Sequence, residues 1–73
     1  MEDIEMIPVA SSNVESIGYD ENYQLLRIRF LNGTTYDYKN VPITEFERLK
    51  VAHSIGSYLH RNIKFNYPYE KVA

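Results

Sequence analysis

The stretch Tyr23–Val41, YQLLRIRFLNGTTYDYKNV, decides the fold of this 73-residue chain. Leu26, Ile28 and Phe30 alternate with Leu25, Arg27, Arg29 and Leu31, the period of two that marks a strand with one buried face. Beyond Asn32-Gly33, Tyr36 and Tyr38 alternate with Thr35, Asp37 and Lys39, and tyrosine and threonine suit a pleated, half-buried surface. The two runs make a hairpin, and the length of its loop decides what it presents. A two-residue type I′ turn at Asn32-Gly33 pairs Arg29 with Tyr36 and Arg27 with Tyr38, so both tyrosines share the arginine face. A three-residue loop puts Leu31-Asn32 in a type I turn and Gly33 in a left-handed bulge. It pairs Phe30 with Thr34, Ile28 with Tyr36 and Leu26 with Tyr38, and gathers all five apolar or aromatic side chains on one face. A slip of one residue moves a whole set of side chains across the sheet, so burial selects the register. A chain this small needs its apolar area inside, which makes the bulged loop the expected one. The other register would display a Tyr/Arg face suited to stacking on bases.

Upstream, Asn13 to Tyr19 reads as a strand, with Ile17 and Tyr19 on one face and Val14, Ser16 and Gly18 on the other. Asp20-Glu21-Asn22 is a polar turn into the hairpin. Residues 1–11 form a loose lead or a short edge strand, where Pro8 is tolerated. Downstream, Pro42 has no amide hydrogen to give a sheet and ends it. Thr44 and Glu47 have the spacing of a capping box, which starts a helix running to about Ala52, with Phe46, Leu49 and Ala52 or His53 on one face. Ser54 caps a second helix. In it Ile55, Tyr58, Leu59 and Ile63 turn toward the sheet, and Ser57, His60, Arg61 and Lys64 turn away. Gly56 costs about 1 kcal/mol in a helix, which implies close backbone contact there. Pro68 ends any helix, and residues 70–73 read as a tail. The expected fold is α+β: a three-stranded antiparallel β-meander followed by two helices packed on one face, a single domain over residues 12–69.

Composition narrows the class. A 73-residue chain of this kind buries only about 60% of the surface its unfolded form exposes, so modest stability is expected. There are no cysteines, hence no disulfide and no thiolate metal site. No apolar run approaches the ~20 residues that span a membrane, and MEDIEM lacks the basic start and apolar core of a secretory signal, so a cytoplasmic protein is expected. The net charge of −2 is unevenly placed: residues 1–21 carry six acids and no base, whereas residues 22–73 carry eight bases and four acids. An acidic lead and a basic body are compatible with a nucleic-acid contact on the body.

The pattern Ser11-Ser12-Asn13-Val14, Ile17-Gly18-Tyr19-Asp20, Gly33, Tyr36-Asp37-Tyr38, Val41-Pro42, Phe46, Leu49, Ser54, Gly56 and Tyr58 resembles the KTSC family, which is named for a domain at the C-terminus of some lysyl-tRNA synthetases. The resemblance covers residues 10–67 and is carried by the Tyr-x-Tyr triplet together with its preceding glycine, the Val-Pro and the Ser-x-Gly-x-Tyr. It implies a stand-alone member. It suggests RNA binding through the synthetase context, and nothing like a synthetase catalytic domain is present.

Enzymatic chemistry finds little support. There is no Cys nucleophile, no HExxH or GxSxG, and the three glycines are isolated, so no phosphate-cradling loop exists. His53 and His60 without a third placed ligand make a weak zinc signal; His53 reads as a partly buried residue at the helix junction and His60 as a solvated one. No cofactor or metal is expected. The candidate nucleic-acid contacts are Arg27 and Arg29 on the outer sheet face, Lys50, and His60, Arg61 and Lys64 on the second helix. Tyr36 and Tyr38 read as core or, alternatively, as a stacking platform for unpaired bases. A small non-enzymatic binding module, for RNA or another nucleic acid, is the leading expectation. The alternative is an interaction module that binds itself, another protein, or a nucleotide-sized ligand, with Leu25, Leu31 and Val14 offering an apolar outer face.

Overall fold

The computed structural model describes residues 4–73. Its elements run β1 (Ile7–Pro8), β2 (Val14–Asp20), β3 (Leu25–Phe30), β4 (Thr35–Tyr38), α1 (Ile43–Lys50), α2 (Ile55–Tyr58), a π-helical turn (Leu59–Ile63) that continues α2, and β5 (Tyr69–Lys71). The strands form one antiparallel sheet in the order β1-β2-β3-β4-β5. The α+β class and the helices after the meander match the expectation. The sheet is larger than the expected three strands: the lead supplies the short edge strand β1, and Tyr69 with residues 70–71 of the expected tail forms β5.

The hairpin takes the bulged register. Leu26 lies opposite Tyr38 and Ile28 opposite Tyr36. The loop closes with the Gly33 amide donating to the Phe30 carbonyl at 2.9 Å and the Phe30 amide donating to the Thr34 carbonyl at 2.8 Å. Gly33 sits at φ +94°, a left-handed conformation that a residue without Cβ adopts freely. Leu26, Ile28 and Tyr38 are buried; Phe30 and Tyr36, nearer the tip, are half-buried.

Val14 departs from the simple alternation. It pairs with Phe30, whereas Ser16 pairs with Arg29, so an extra residue, Glu15, bulges out between them. A bulge of this kind resets which face a strand presents. Val14 therefore joins the core, fully buried, instead of standing on the outer face. Ile17, Val14, Leu26, Ile28 and Val41 meet Phe46 and Leu49 of α1 and Ile55, Leu59 and Ile63 of the second helix in one cluster. The outer face is partly covered as well, because Ile4 and Met6 lie across Gly18.

The helix ends differ from the sequence pattern. Pro42 precedes α1 and no side-chain cap bond forms, so Thr44 and Glu47 do not close a capping box. Proline at this boundary removes a donor that would be orphaned in any case. Ser54 does cap α2, its hydroxyl accepting from the Ser57 amide at 3.2 Å. The Lys64 amide then reaches the Leu59 carbonyl at 2.8 Å, five residues back, the hydrogen bond of a π turn. Ile55, Leu59 and Ile63 are spaced four apart. In a 3.6-residue helix such a row drifts by about 40° per step, and the wider turn keeps Ile63 in line and fully buried. His53, expected to be partly buried, is exposed. Among the described residues no helix is long and apolar enough to cross a membrane.

Candidate nucleic-acid interface

A cleft of about 290 Å³ opens between the tip of the β3–β4 hairpin, β5 and the second helix. Its sheet wall is aromatic. The rings of Phe30 and Tyr36 meet edge-on at 5.8 Å between centroids, those of Tyr36 and Tyr69 at 5.7 Å, and Tyr69 lies 5.7 Å from Tyr38. Tyr38 is the buried floor, Tyr36 half-buried, and Tyr69 56% exposed. Burial, with smaller contributions from Tyr36 and Tyr69, pushes the Tyr38 phenol above the ordinary tyrosine value. The opposite wall is helical and carries His60 and Lys64, both exposed. Among the described residues no carboxylate lines the cleft, although the chain as a whole has a net charge of −2.

Local bonds hold the polar walls in place. Asn32 Oδ1 accepts from the Thr34 amide at 3.0 Å and from the Thr34 hydroxyl at 2.7 Å, tying down the hairpin tip. Ser11 donates to Asn13 Oδ1 at 3.1 Å. Asn13 lies so close to α2 that a Cβ on Gly56 would stand 2.5 Å from its Oδ1. The close approach at Gly56 is thus to a side chain rather than to a backbone.

The cleft unites two sets of residues that the sequence left apart, the tyrosine pair Tyr36 and Tyr38 and the helical pair His60 and Lys64. The other candidates lie elsewhere. Arg27 donates from Nε and Nη2 to the two carboxylate oxygens of Asp37, at 2.8 and 2.9 Å, in a forked ion pair on the outer face. Arg29 is exposed beside it and reaches Thr35 Oγ1 at 3.4 Å. Lys50 is at the end of α1, its ammonium 5.1 Å from the Phe46 ring centroid. Arg61 faces a separate hollow with Arg48 and Tyr58.

Two residues of the neighbourhood were missed. Tyr69 closes the aromatic wall, and Lys71 lies opposite Tyr36 in the β4–β5 register, on the same sheet face. The alternation of Tyr69 and Lys71 was the available signal, but a stretch of three residues is too short to read as a strand without its partner. Among the described residues no group of three or more His, Asp or Glu side chains could hold a metal ion.

Comparison with known proteins places the chain and its fold. The KTSC domain family matches residues 10–67. A protein of Tsukamurella paurometabola is 42% identical over 59 residues, covering 81% of this chain and 88% of the relative. A lysine–tRNA ligase of Trichormus variabilis is 36% identical over 62 residues, 85% of this chain but 11% of the ligase. The crystal structure of a KTSC domain protein from Yersinia pestis superposes with a TM-score of 0.91 at 33% identity, covering 97% of this chain and all of that one. With the family match spanning most of its length and a relative of similar size 42% identical over the 59 aligned residues, this chain belongs to the KTSC domain family.

Proposed function

We propose that this chain is a non-enzymatic binding module for unpaired RNA, with the tyrosine-walled cleft as its stacking site. The observation that carries the reading is the convergence of Phe30, Tyr36 and Tyr69 with Lys64 and His60 around one hollow that no carboxylate among the described residues lines. Bases stack on aromatic faces with little regard to sequence, at about 1–3 kcal/mol per base, and a lysine beside the stack supplies the charge for phosphate. The volume of about 290 Å³ is near the lower end for small-ligand sites, the size of one nucleotide rather than a folded partner. The lysine–tRNA ligase relative, by its name a protein concerned with tRNA, contains a segment similar to nearly all of this chain.

Among the sequence candidates, this reading favours His60 and Lys64 over Arg61, and Tyr36 over the outer-face arginines. The test is a gel shift with unpaired RNA at two salt concentrations. Binding should weaken at the higher salt, because phosphate contacts release counterions. Lys64→Glu should abolish the shift while moving the thermal midpoint by no more than a few degrees, since an exposed charge contributes little to stability. Arg61→Glu, the same charge change away from the cleft, should retain most of the binding. No shift at low salt, with a stable dimer by light scattering, would favour a self-associating interaction module instead.

A further inference from the structure

We infer that the site takes two consecutive nucleotides, the second base stacking on Phe65. The inference rests on the cleft as the seat of the first base. Phe65 follows Lys64 directly and is 76% exposed. It is nonetheless held. The Lys64 ammonium lies 5.5 Å from the ring centroid, and the His60 ring meets it edge-on at 5.6 Å between centroids. Both partners also line the cleft. The same two side chains therefore touch the tyrosine hollow on one side and the exposed phenylalanine on the other.

That placement has a chemical meaning. Successive nucleotides of a single strand are joined by one phosphate. A base seated against Tyr36 and Tyr69, with its neighbour on Phe65, carries that phosphate past Lys64 and His60. A cation near an aromatic ring is stabilised by the ring's negative face, so Lys64 is held at the boundary before any ligand arrives. Hydrogen-bond readout is not required of Phe65, because every base has a face to stack.

Two probes separate this inference from the cleft reading: adenosine 5′-monophosphate, and the dinucleotide pApA, which adds one base and the bridging phosphate. Titration at low salt, followed by amide chemical shifts, should find pApA binding about tenfold more tightly than the mononucleotide, the ratio given by ~1.4 kcal/mol of added stacking. Phe65→Ala should bring pApA down to the mononucleotide's affinity and leave the mononucleotide unchanged. Phe65→Tyr should restore the difference. If Phe65→Ala leaves pApA binding intact while Tyr69→Ala weakens both probes, the two-nucleotide site is wrong and the cleft stands. If neither probe binds the wild-type chain at low salt, the cleft reading falls and this inference falls with it.

Discussion

Gly33 is the residue on which the hairpin register turns. A type I turn followed by one left-handed residue needs φ > 0 at that position, and Gly33 is at +94° with open space around it. Gly33→Ala meets no clash, so its penalty is conformational alone, about 1–2 kcal/mol. For a domain of this size that is roughly 4–8 °C in thermal midpoint per kcal/mol, measurable by circular dichroism. A larger loss, with tyrosine contacts broken in the amide spectrum, would mean that the register itself had slipped. The same register explains Arg27. Once Phe30 faces Thr34, Arg27 must face Asp37, and the forked pair follows. That pairing was legible in the sequence as soon as the bulged loop was chosen, although Arg27 reads at first as a free phosphate contact.

At the level of elements, β5 is what the sequence concealed. It adds three residues to the edge of β4, and its surroundings supply further bonds. The Thr35 amide donates to the Ala73 carbonyl, the Val72 amide to the Thr35 carbonyl, and the Lys39 amide to the Pro68 carbonyl. Thr35, Asp37 and Tyr38 are buried, although their strand would be an edge without β5. Removing residues 69–73 should expose one side of β4 and take away the Tyr69 wall. The loss should be roughly 2–3 kcal/mol, about that of uncovering one large side chain. On the proposed function, the truncated chain should also lose RNA binding at temperatures where it remains folded. Thermal melts and the gel shift on the same sample check both. An unchanged midpoint would mean that β5 contributes nothing to the fold.

At the scale of the whole molecule, tyrosine phenols link distant parts of the fold. Tyr19 donates to the Val41 carbonyl at 2.5 Å and stacks on Phe46. Tyr58 and Tyr67 both donate to the Glu45 carboxylate, joining α1 to the second helix and to the segment before β5. Burial, chiefly, raises the phenols of Tyr19, Tyr38, Tyr58 and Tyr67 above the ordinary value, and the Glu45 carboxylate adds to the effect at Tyr58 and Tyr67. An unfolded chain therefore loses these protons first, at about pH 10. Stability from this source is complete below that pH and is lost as pH rises through the higher folded-state values. The thermal midpoint should hold from about pH 8 to 9.5 and fall steeply above it. A double variant, Tyr58→Phe with Tyr67→Phe, should start lower at neutral pH, because hydrogen bonds to a carboxylate are lost, but should decline less on the alkaline side. An equal alkaline decline in both proteins would assign the pH sensitivity to other groups.

The sequence by itself determined the α+β class, the hairpin register and the inward rows of both helices. Each rests on a local period or on a conformation that a single glycine permits. The Ser54 cap was readable for the same reason, since its bond spans only three residues. What only the tertiary structure decided depends on partners distant in sequence. The Glu15 bulge turns Val14 inward because β3 pairs on either side of it. Residues 69–71 become a strand because β4 offers an unpaired edge. The π turn forms where three apolar residues spaced four apart must reach one core. The cleft is the clearest case: Tyr36 lies far along the chain from Lys64 and Tyr69, and closing the sheet against the second helix brings them together.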